Sequence, residues 1–162
     1  MPRTKKKRKA ELYLSVGPLP DKYADQYRDH LLVFCDASKK RYGGLAAVLF
    51  DGFGAEPEIS TSTIAPSGSN GLELQAVILG LQLAEQRYPG RSLVLFTDNQ
   101  DAVSRLTRKK ALGVDHDAPL SLMLEEHGIA NVLGRSAICW IKSHWTSRGN
   151  ALADQYARKA AD

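Results

Sequence analysis

The sequence has few of the features that mark secreted, membrane-bound or thiol-dependent proteins. It contains only two cysteines, Cys35 and Cys139, and their spacing matches neither a metal site nor a redox motif. No apolar run approaches the roughly 20 residues that cross a membrane, and the N-terminal segment is a lysine cluster without the apolar stretch of a secretion signal. No internal repeat is visible. We therefore expect two reduced, buried thiols and an intracellular protein without a membrane partner, cytoplasmic or, in a eukaryote, nuclear.

The positive net charge belongs to one short segment. The formal charge is +4, but six of the 22 basic residues lie between Arg3 and Lys9, which leaves 16 basic against 18 acidic residues in the remainder. The remainder is therefore slightly acidic. A basic tail of this kind binds phosphate groups by counterion release, directs nuclear import, or is a solvated spectator. All three interpretations remain open at this stage.

Hydrophobic patterning predicts one domain over residues 30–162, after a tail and linker over residues 1–29. Apolar or alternating runs predict five strands, at 31–36, 43–50, 58–64, 92–98 and 136–144. Helical spacing and capping residues predict four helices: from Leu72 to the YPG at 88–90, from 99, from about Asp117, and after Asn150 as an N-cap. The order βββαβααβα predicts a five-stranded mixed sheet flanked by helices.

Four acidic residues stand at strand ends or near helix starts. Two strands, apolar almost throughout, finish on Asp36 and Asp98, and parallel neighbours would bring both to one edge of the sheet. Glu73 is expected in the first turn of the helix between them, and Asp154 one turn into the last helix. Crowded carboxylates repel one another unless cations neutralise them, and oxygen ligands favour Mg²⁺ or Mn²⁺. Four carboxylates would balance two divalent cations, an arrangement that drives phosphoryl displacement.

The motifs FCDAS, NGLELQA, FTDNQ and GNALAD carry these acids in an order that resembles the type 1 ribonucleases H. The segment KSHWTSRGNALAD, with His144 ten residues before Asp154, is similar to the family's flexible histidine loop. The resemblance covers residues 31–161. It implies a ribonuclease H-like fold and a monomeric endonuclease that cuts the RNA strand of RNA/DNA hybrids. The cofactors it implies are two Mg²⁺ ions, with Mn²⁺ as an alternative, and the product ends are 5′-phosphate and 3′-hydroxyl.

The resemblance also implies a role for each residue of the site. Asp36 would bridge both ions, Glu73 and Asp98 would complete the ion on the leaving-group side, and Asp154 would complete the ion on the water side. His144 would relay protons or assist product release from its loop. The substrate contacts that the resemblance implies are Ser38, Asn70 and Gln100.

The chain departs from the family in two places. The glycine-rich segment after the first strand is shortened to SKKRYGG, and the basic insertion after Asp98 is short or missing around RLTRKK (105–110). These departures bear on affinity and processivity more than on catalysis. Another nuclease of the superfamily, or a non-catalytic nucleic-acid-binding domain, remains an alternative. Ser38 counts against the superfamily's exonucleases, which need an acid there, and the presence of all four acids counts against an inactive domain.

Overall fold

The sheet is built around the first strand of the chain. The computed structural model describes residues 17–113, 115–142 and 147–162. The five strands are β1 (Leu31–Lys39), β2 (Gly43–Asp51), β3 (Glu58–Ile64), β4 (Leu93–Thr97) and β5 (Ser136–Trp140). They are hydrogen-bonded in the order β3-β2-β1-β4-β5, with β1, β2 and β3 antiparallel and β4 and β5 parallel to β1. This arrangement confirms the predicted mixed sheet, with β1 at its centre.

Helices cover both faces of the sheet. They are α1 (Ala24–Tyr27), which follows a 3₁₀ turn at Asp21–Tyr23, then α2 (Ser69–Arg87), α3 (Gln100–Leu112), α4 (Ala118–Glu126), α5 (Ala130–Gly134) and α6 (Arg148–Ala160). The four predicted helices correspond to α2, α3, α4 and α6, and the short α1 and α5 were not predicted. Within the described ranges, no helix has the length and apolar character needed to span a membrane.

Alternate residues of β1 enter two separate apolar cores. Val33 and Cys35 pack beneath α2, whereas Leu32 and Phe34 lie in the core on the other face, beneath α6. Both helices lie unusually close to the sheet at a glycine. A side chain at Gly80 of α2 would overlap the sulfur of Cys35, and one at Gly149 of α6 would overlap the ring of Phe34. These close contacts position the start of each helix relative to the carboxyl end of β1.

Several predicted boundaries were wrong. The strand β5 ends at Trp140, where its pairing with β4 stops, and not at residue 144. Ser147, not Asn150, is the N-cap of α6, because its hydroxyl accepts the backbone N–H of Asn150 at 3.1 Å. The helix α2 begins at Ser69, so Glu73 is in its second turn and not its first. The strand β1 does not end at Asp36; it continues to Lys39 because its antiparallel pairing with β2 extends that far.

Residues 17–29, predicted as tail and linker, contact the face of the sheet that carries α6. Leu19 is buried in that core, the Tyr27 ring packs edge-on against Phe96 at 5.8 Å, and the carbonyl of Pro18 accepts the backbone N–H of Gly149 at 3.0 Å. The domain boundary at residue 29 stays a prediction. The basic tail lies outside the described residues.

Candidate active site

Asp36 and Asp98 lie level with each other at the carboxyl edge of two parallel strands. The register of β1 and β4 places Phe34 opposite Phe96, and the parallel pairing ends there. Both acids follow two residues later, Asp36 within β1 and Asp98 directly after β4. Because side chains alternate along a strand, Asp36 lies on the same face of the sheet as Phe34. The sequence prediction that both carboxylates meet at one edge agrees with this register.

Glu73 reaches the same edge from α2, which covers the opposite face. It precedes Gly80 by two turns, so the close contact at Gly80 holds this side of the helix against β1. One carboxylate oxygen from each of Asp36, Glu73 and Asp98 lies within 4.8 Å of the other two. The fold therefore brings together three of the four acids that the sequence analysis selected.

Asp154 lies beside this group without being part of it. It is the seventh residue of α6, the helix that covers the face on which Asp36 lies. Its charge is close enough to raise the pKa of both Asp36 and Glu73. Its carboxylate also accepts a hydrogen bond from Nε of Arg158 at 3.2 Å. Asp154 is therefore a fourth acid near the group, and the guanidinium of Arg158 partly offsets its charge.

The carboxyl groups repel one another where water has little access. Asp36 is 5% exposed. Burial is the largest cause that raises its pKa, and the charges of Glu73, Asp98 and Asp154 add to the effect. Burial and the charge of Asp98 likewise raise the pKa of Glu73. The site therefore concentrates negative charge that a bound cation would relieve.

The donor atoms fit a hard divalent cation. All are carboxylate oxygens, the ligands that Mg²⁺ and Mn²⁺ prefer. Oε2 of Glu73 is buried and has no hydrogen-bond partner in the described part of the chain, so a cation would satisfy it. The neighbouring Cys35 would not act as a ligand, because burial and the charges of Glu73 and Asp36 raise the pKa of its thiol well above the usual value.

Asn70 belongs to a hydrogen-bonded link between the starts of α2 and α3. Its Oδ1 accepts from Nδ2 of Asn99 at 3.0 Å, and its Nδ2 donates to Oδ2 of Asp101 at 2.8 Å. Asn99 also caps α3 by accepting the backbone N–H of Ala102 at 2.8 Å. The N-cap of α2 is Gly68, so Asn70 has no capping role. Sequence analysis missed Asn99 and Asp101, although an asparagine directly after a strand is a recognisable N-cap signal.

The other predicted substrate residues lie at the same edge. Ser38 is partly exposed on β1, two residues beyond Asp36 and on the same face. Gln100 is exposed as the first residue of α3. His144 lies outside the described residues, so its role stays a prediction.

Asn150 is a buried polar residue with an unusual environment. It is 0% exposed, and both polar atoms of its side chain lack a hydrogen-bond partner among the described residues. It precedes Asp154 by one helical turn, which puts both residues on one face of α6. An unpaired buried amide costs about 1–3 kcal/mol, so a group of this kind calls for a specific explanation such as strain, a bound water or ion, or a role in function.

The basic run after Asp98 is largely bound within the domain. Arg105 forms a two-bond ion pair with Asp117, at 2.5 Å and 2.9 Å. The amine of Lys109 donates to the carbonyl oxygens of His116 at 2.7 Å and Gly113 at 3.2 Å, and the amine of Lys110 donates to the carbonyl of Ser136. These three cations hold α3 to its neighbours, so they are poorly placed to replace the missing basic insertion.

Comparison with known proteins agrees with this fold. The RNase H family model matches residues 28–162. The N-terminal RNase H domain of a Mycobacterium tuberculosis protein has a TM-score of 0.63 at 20% identity, covering 82% of this chain and 94% of that one. Prototype foamy virus protease-reverse transcriptase has a TM-score of 0.62 at 20% identity, covering 88% of this chain and 22% of the viral one.

A third similar structure contains a nucleic acid. LC11-RNase H1 in complex with an RNA/DNA hybrid has a TM-score of 0.57 at 16% identity, covering 82% of this chain and 99% of that one. No curated protein matches the chain at a significant level. At these identities the solved structures establish a shared fold, and the family match extends over the whole sheet and every predicted site residue.

Proposed function

The chain belongs to the RNase H family, and from this premise we propose that it is an endonuclease that hydrolyses the RNA strand of RNA/DNA hybrids. One observation carries the proposal: the carboxylates of Asp36, Glu73 and Asp98 converge within 4.8 Å at the carboxyl edge of the sheet. Such a cluster has no structural benefit, because burial and mutual repulsion disfavour it. The proposed products carry 5′-phosphate and 3′-hydroxyl ends.

Asp36, Glu73 and Asp98 would hold the first divalent cation, and Asp154 would add the fourth carboxylate needed for a second. When bound, two Mg²⁺ or Mn²⁺ ions supply Lewis-acid chemistry: they activate water and neutralise charge on the scissile phosphate. The protein contributes the fixed separation of the carboxylates. Asp36 lies on the central strand, Glu73 and Asp154 lie on two helices packed against it, and Asp98 directly follows the neighbouring strand. The packing of these elements fixes the separation.

The remaining residues would orient the nucleic acid and move protons. Asn70 and Gln100 would contact base edges and 2′-hydroxyls, the groups that distinguish RNA from DNA. Asn70 is held for this task by Asn99 and Asp101. Ser38 would contact the RNA backbone. His144 would exchange a proton at its ring nitrogen or assist product release.

A substrate panel tests the proposal. The protein is incubated with labelled RNA/DNA hybrid, single-stranded RNA, double-stranded RNA and double-stranded DNA, each with Mg²⁺ or with EDTA. We expect cleavage of the hybrid alone, within the RNA strand, and only with Mg²⁺. Cleavage of DNA would favour another nuclease of the superfamily. Binding of the hybrid without cleavage under any metal condition would favour a non-catalytic nucleic-acid-binding domain.

Two carboxylate variants make the panel specific to the site. Asp36→Asn removes an oxygen anion from the cluster, whereas Asp162→Asn removes one from an exposed ion pair with Lys40 at 2.9 Å. Hydrolysis should be lost in the first variant and retained in the second. Equal activity of the two variants would contradict a carboxylate-based site at Asp36.

A further inference from the structure

Asp154 has a basic partner on its own helix. Nε of Arg158 lies 3.2 Å from both carboxylate oxygens of Asp154, one helical turn away on α6. The Asp154 side chain is 16% exposed and that of Arg158 is 49% exposed. The carboxylate is therefore mostly buried, and its basic partner is half exposed.

Asp36 and Glu73 have no such partner. Within the described ranges, neither is within ion-pair distance of a lysine or arginine, and a backbone N–H, that of Ala37, donates to Asp36 at 2.9 Å. Asp154 is close enough for its charge to act on both of them, yet its ligand atoms lie outside the compact group that they form with Asp98. Asp36 and Glu73 therefore lack a basic partner within the described ranges, whereas the charge of Asp154 is partly offset by Arg158.

We propose that Arg158 is a positioning residue that competes with a divalent cation for Asp154. The proposal rests on the function proposed above. The cation that needs Asp154 must share this carboxylate with a guanidinium. Arg158 thereby separates the two binding steps, so that the second cation binds only at a higher cation concentration. The concentration at which hydrolysis begins is then set by a residue that itself contacts neither substrate nor metal.

A purely structural role predicts something else. Oppositely charged residues four apart stabilise a helix by roughly 0.3–0.5 kcal/mol and have no effect on cation affinity. Under that hypothesis, removing the guanidinium would lower the melting temperature slightly and leave cation binding unchanged. The two hypotheses are therefore separated by measuring cation affinity without substrate.

The experiment uses Arg158→Met, which keeps the length of the side chain and removes its charge. Lys159→Met is the matched control, because Lys159 is the adjacent exposed cation and lies over the Tyr156 ring at 5.2 Å, away from Asp154. Mn²⁺ binding to each full-length protein is measured by titration calorimetry, with thermal melts alongside. We expect two classes of site in the unaltered protein. In Arg158→Met the weaker site should tighten on the order of 3- to 10-fold, between the effect of an exposed ion pair and that of a charged hydrogen bond.

A third variant and an activity measurement complete the test. Arg158→Lys keeps the charge but loses the Nε geometry, so its weaker site should be intermediate in affinity. The Mg²⁺ concentration for half-maximal hydrolysis should fall in Arg158→Met, with the KM for hybrid unchanged. Equal Mn²⁺ affinities in Arg158→Met, Lys159→Met and the unaltered protein would overturn the role proposed for Arg158 and leave the proposed function standing. If only one Mn²⁺ ion binds in every variant, the competition is likewise overturned. If no Mn²⁺ binds to the unaltered protein, the proposed function fails as well.

Discussion

Asp36 has a carboxyl group that the fold favours in its protonated form. Burial, with the neighbouring acids, raises its pKa above that of the unfolded chain. A carboxyl group of this kind takes up a proton on folding, so its contribution to stability is fully present below the unfolded pKa and is lost as pH rises through the folded pKa. The pKa of this carboxyl group in the unfolded chain is about 3.9. The metal-free protein should therefore become less stable as pH rises from about 4 into the neutral range.

Asp36→Asn should remove this penalty. Without metal at neutral pH, we expect a free energy of unfolding higher by about 1–3 kcal/mol, since one pKa unit corresponds to about 1.4 kcal/mol. Hydrolysis of the hybrid should fall below detection, because a central oxygen ligand is lost. The measurement is urea unfolding at pH 5 and pH 8, with and without Mg²⁺. The gain should shrink at pH 5 and when Mg²⁺ is added to both proteins.

The exposed variant Asp162→Asn is the control for this experiment. Its free energy of unfolding should follow that of the unaltered protein at both pH values, without the gain expected for Asp36→Asn, because Asp162 lies at the surface and Asp36 is intact. If Asp36→Asn were instead less stable than the unaltered protein at pH 8, the carboxylate would have a stabilising partner in solution, and the strained site inferred from the geometry would be wrong.

His144 is predicted to relay protons or to assist product release. If it relays protons, His144→Ala should lower kcat by about 10-fold or more, at the lower end of the range for general acid–base help, with the melting temperature unchanged. Asp154→Ala should lower kcat further, because it removes a cation ligand. The test is kcat at saturating Mg²⁺ for both variants. A lowered melting temperature with an unchanged kcat for His144→Ala would show a structural residue instead.

At the scale of elements, the corner between α3 and α4 depends on one side chain. Asp117 is the N-cap of α4, where its Oδ1 accepts the backbone N–H of Leu120 at 3.2 Å, and it also receives both hydrogen bonds of Arg105. Its backbone is left-handed, with φ of 58°, which is unfavourable for residues other than glycine, asparagine and aspartate. The hydrogen bonds from Arg105 lower the pKa of Asp117 to about 2.

Asp117→Ala should destabilise the domain by about 1–2 kcal/mol, through the lost cap and the unfavourable φ. Asp117→Asn should be milder, because the amide oxygen still caps the helix. The depressed pKa means that the contribution of Asp117 is present above pH 4 and is lost as pH falls towards 2. Urea unfolding at pH 7 and pH 3 measures both effects. Asp115→Ala, an exposed neighbour, should change neither value, and an equal loss there would contradict the specific role of Asp117.

At the scale of the whole molecule, the distribution of charge separates a basic tail from a slightly acidic domain. Six of the 22 basic residues lie in residues 1–9, and three of the cations in 105–110 are bound within the domain. Electrostatic attraction to a hybrid would therefore depend heavily on the tail. Each phosphate contact by such a cation steepens the log–log dependence of affinity on salt by up to about 0.9.

Deleting residues 1–9 should weaken hybrid binding and flatten its salt dependence while the strand preference is kept. A full-length variant with the six basic residues replaced by glutamine separates the effect of charge from that of length, and the two proteins should behave alike. Affinity is measured at several salt concentrations with Asp36→Asn as the background, so that the hybrid remains intact. An unchanged slope would identify the tail as a spectator or an import signal.

Local patterns in the sequence determined the strands, the main helices and the acids at their ends. The stripe of Leu74, Val77, Ile78 and Leu81 predicted α2, and all four residues are buried. The apolar runs that end on Asp36 and Asp98 predicted a shared edge, because alternation and chain direction are local properties of strands. The prediction of fold and family is confirmed, and the convergence of three acids follows from the same patterns.

Tertiary structure decided which of several locally equivalent residues take each role. Ser147 and Asn150 are both good N-cap residues, and in the structure Ser147 caps α6 whereas Asn150 is buried, next to the point where Gly149 packs on Phe34. The lysines after Asp98 resemble a basic surface in sequence, yet they bind carbonyl groups of segments that the fold brings beside α3. The strength with which the charge of Asp154 acts on the other acids depends on the distance between α6 and β1. Such distances arise from contacts between residues far apart in the chain, which no local pattern encodes.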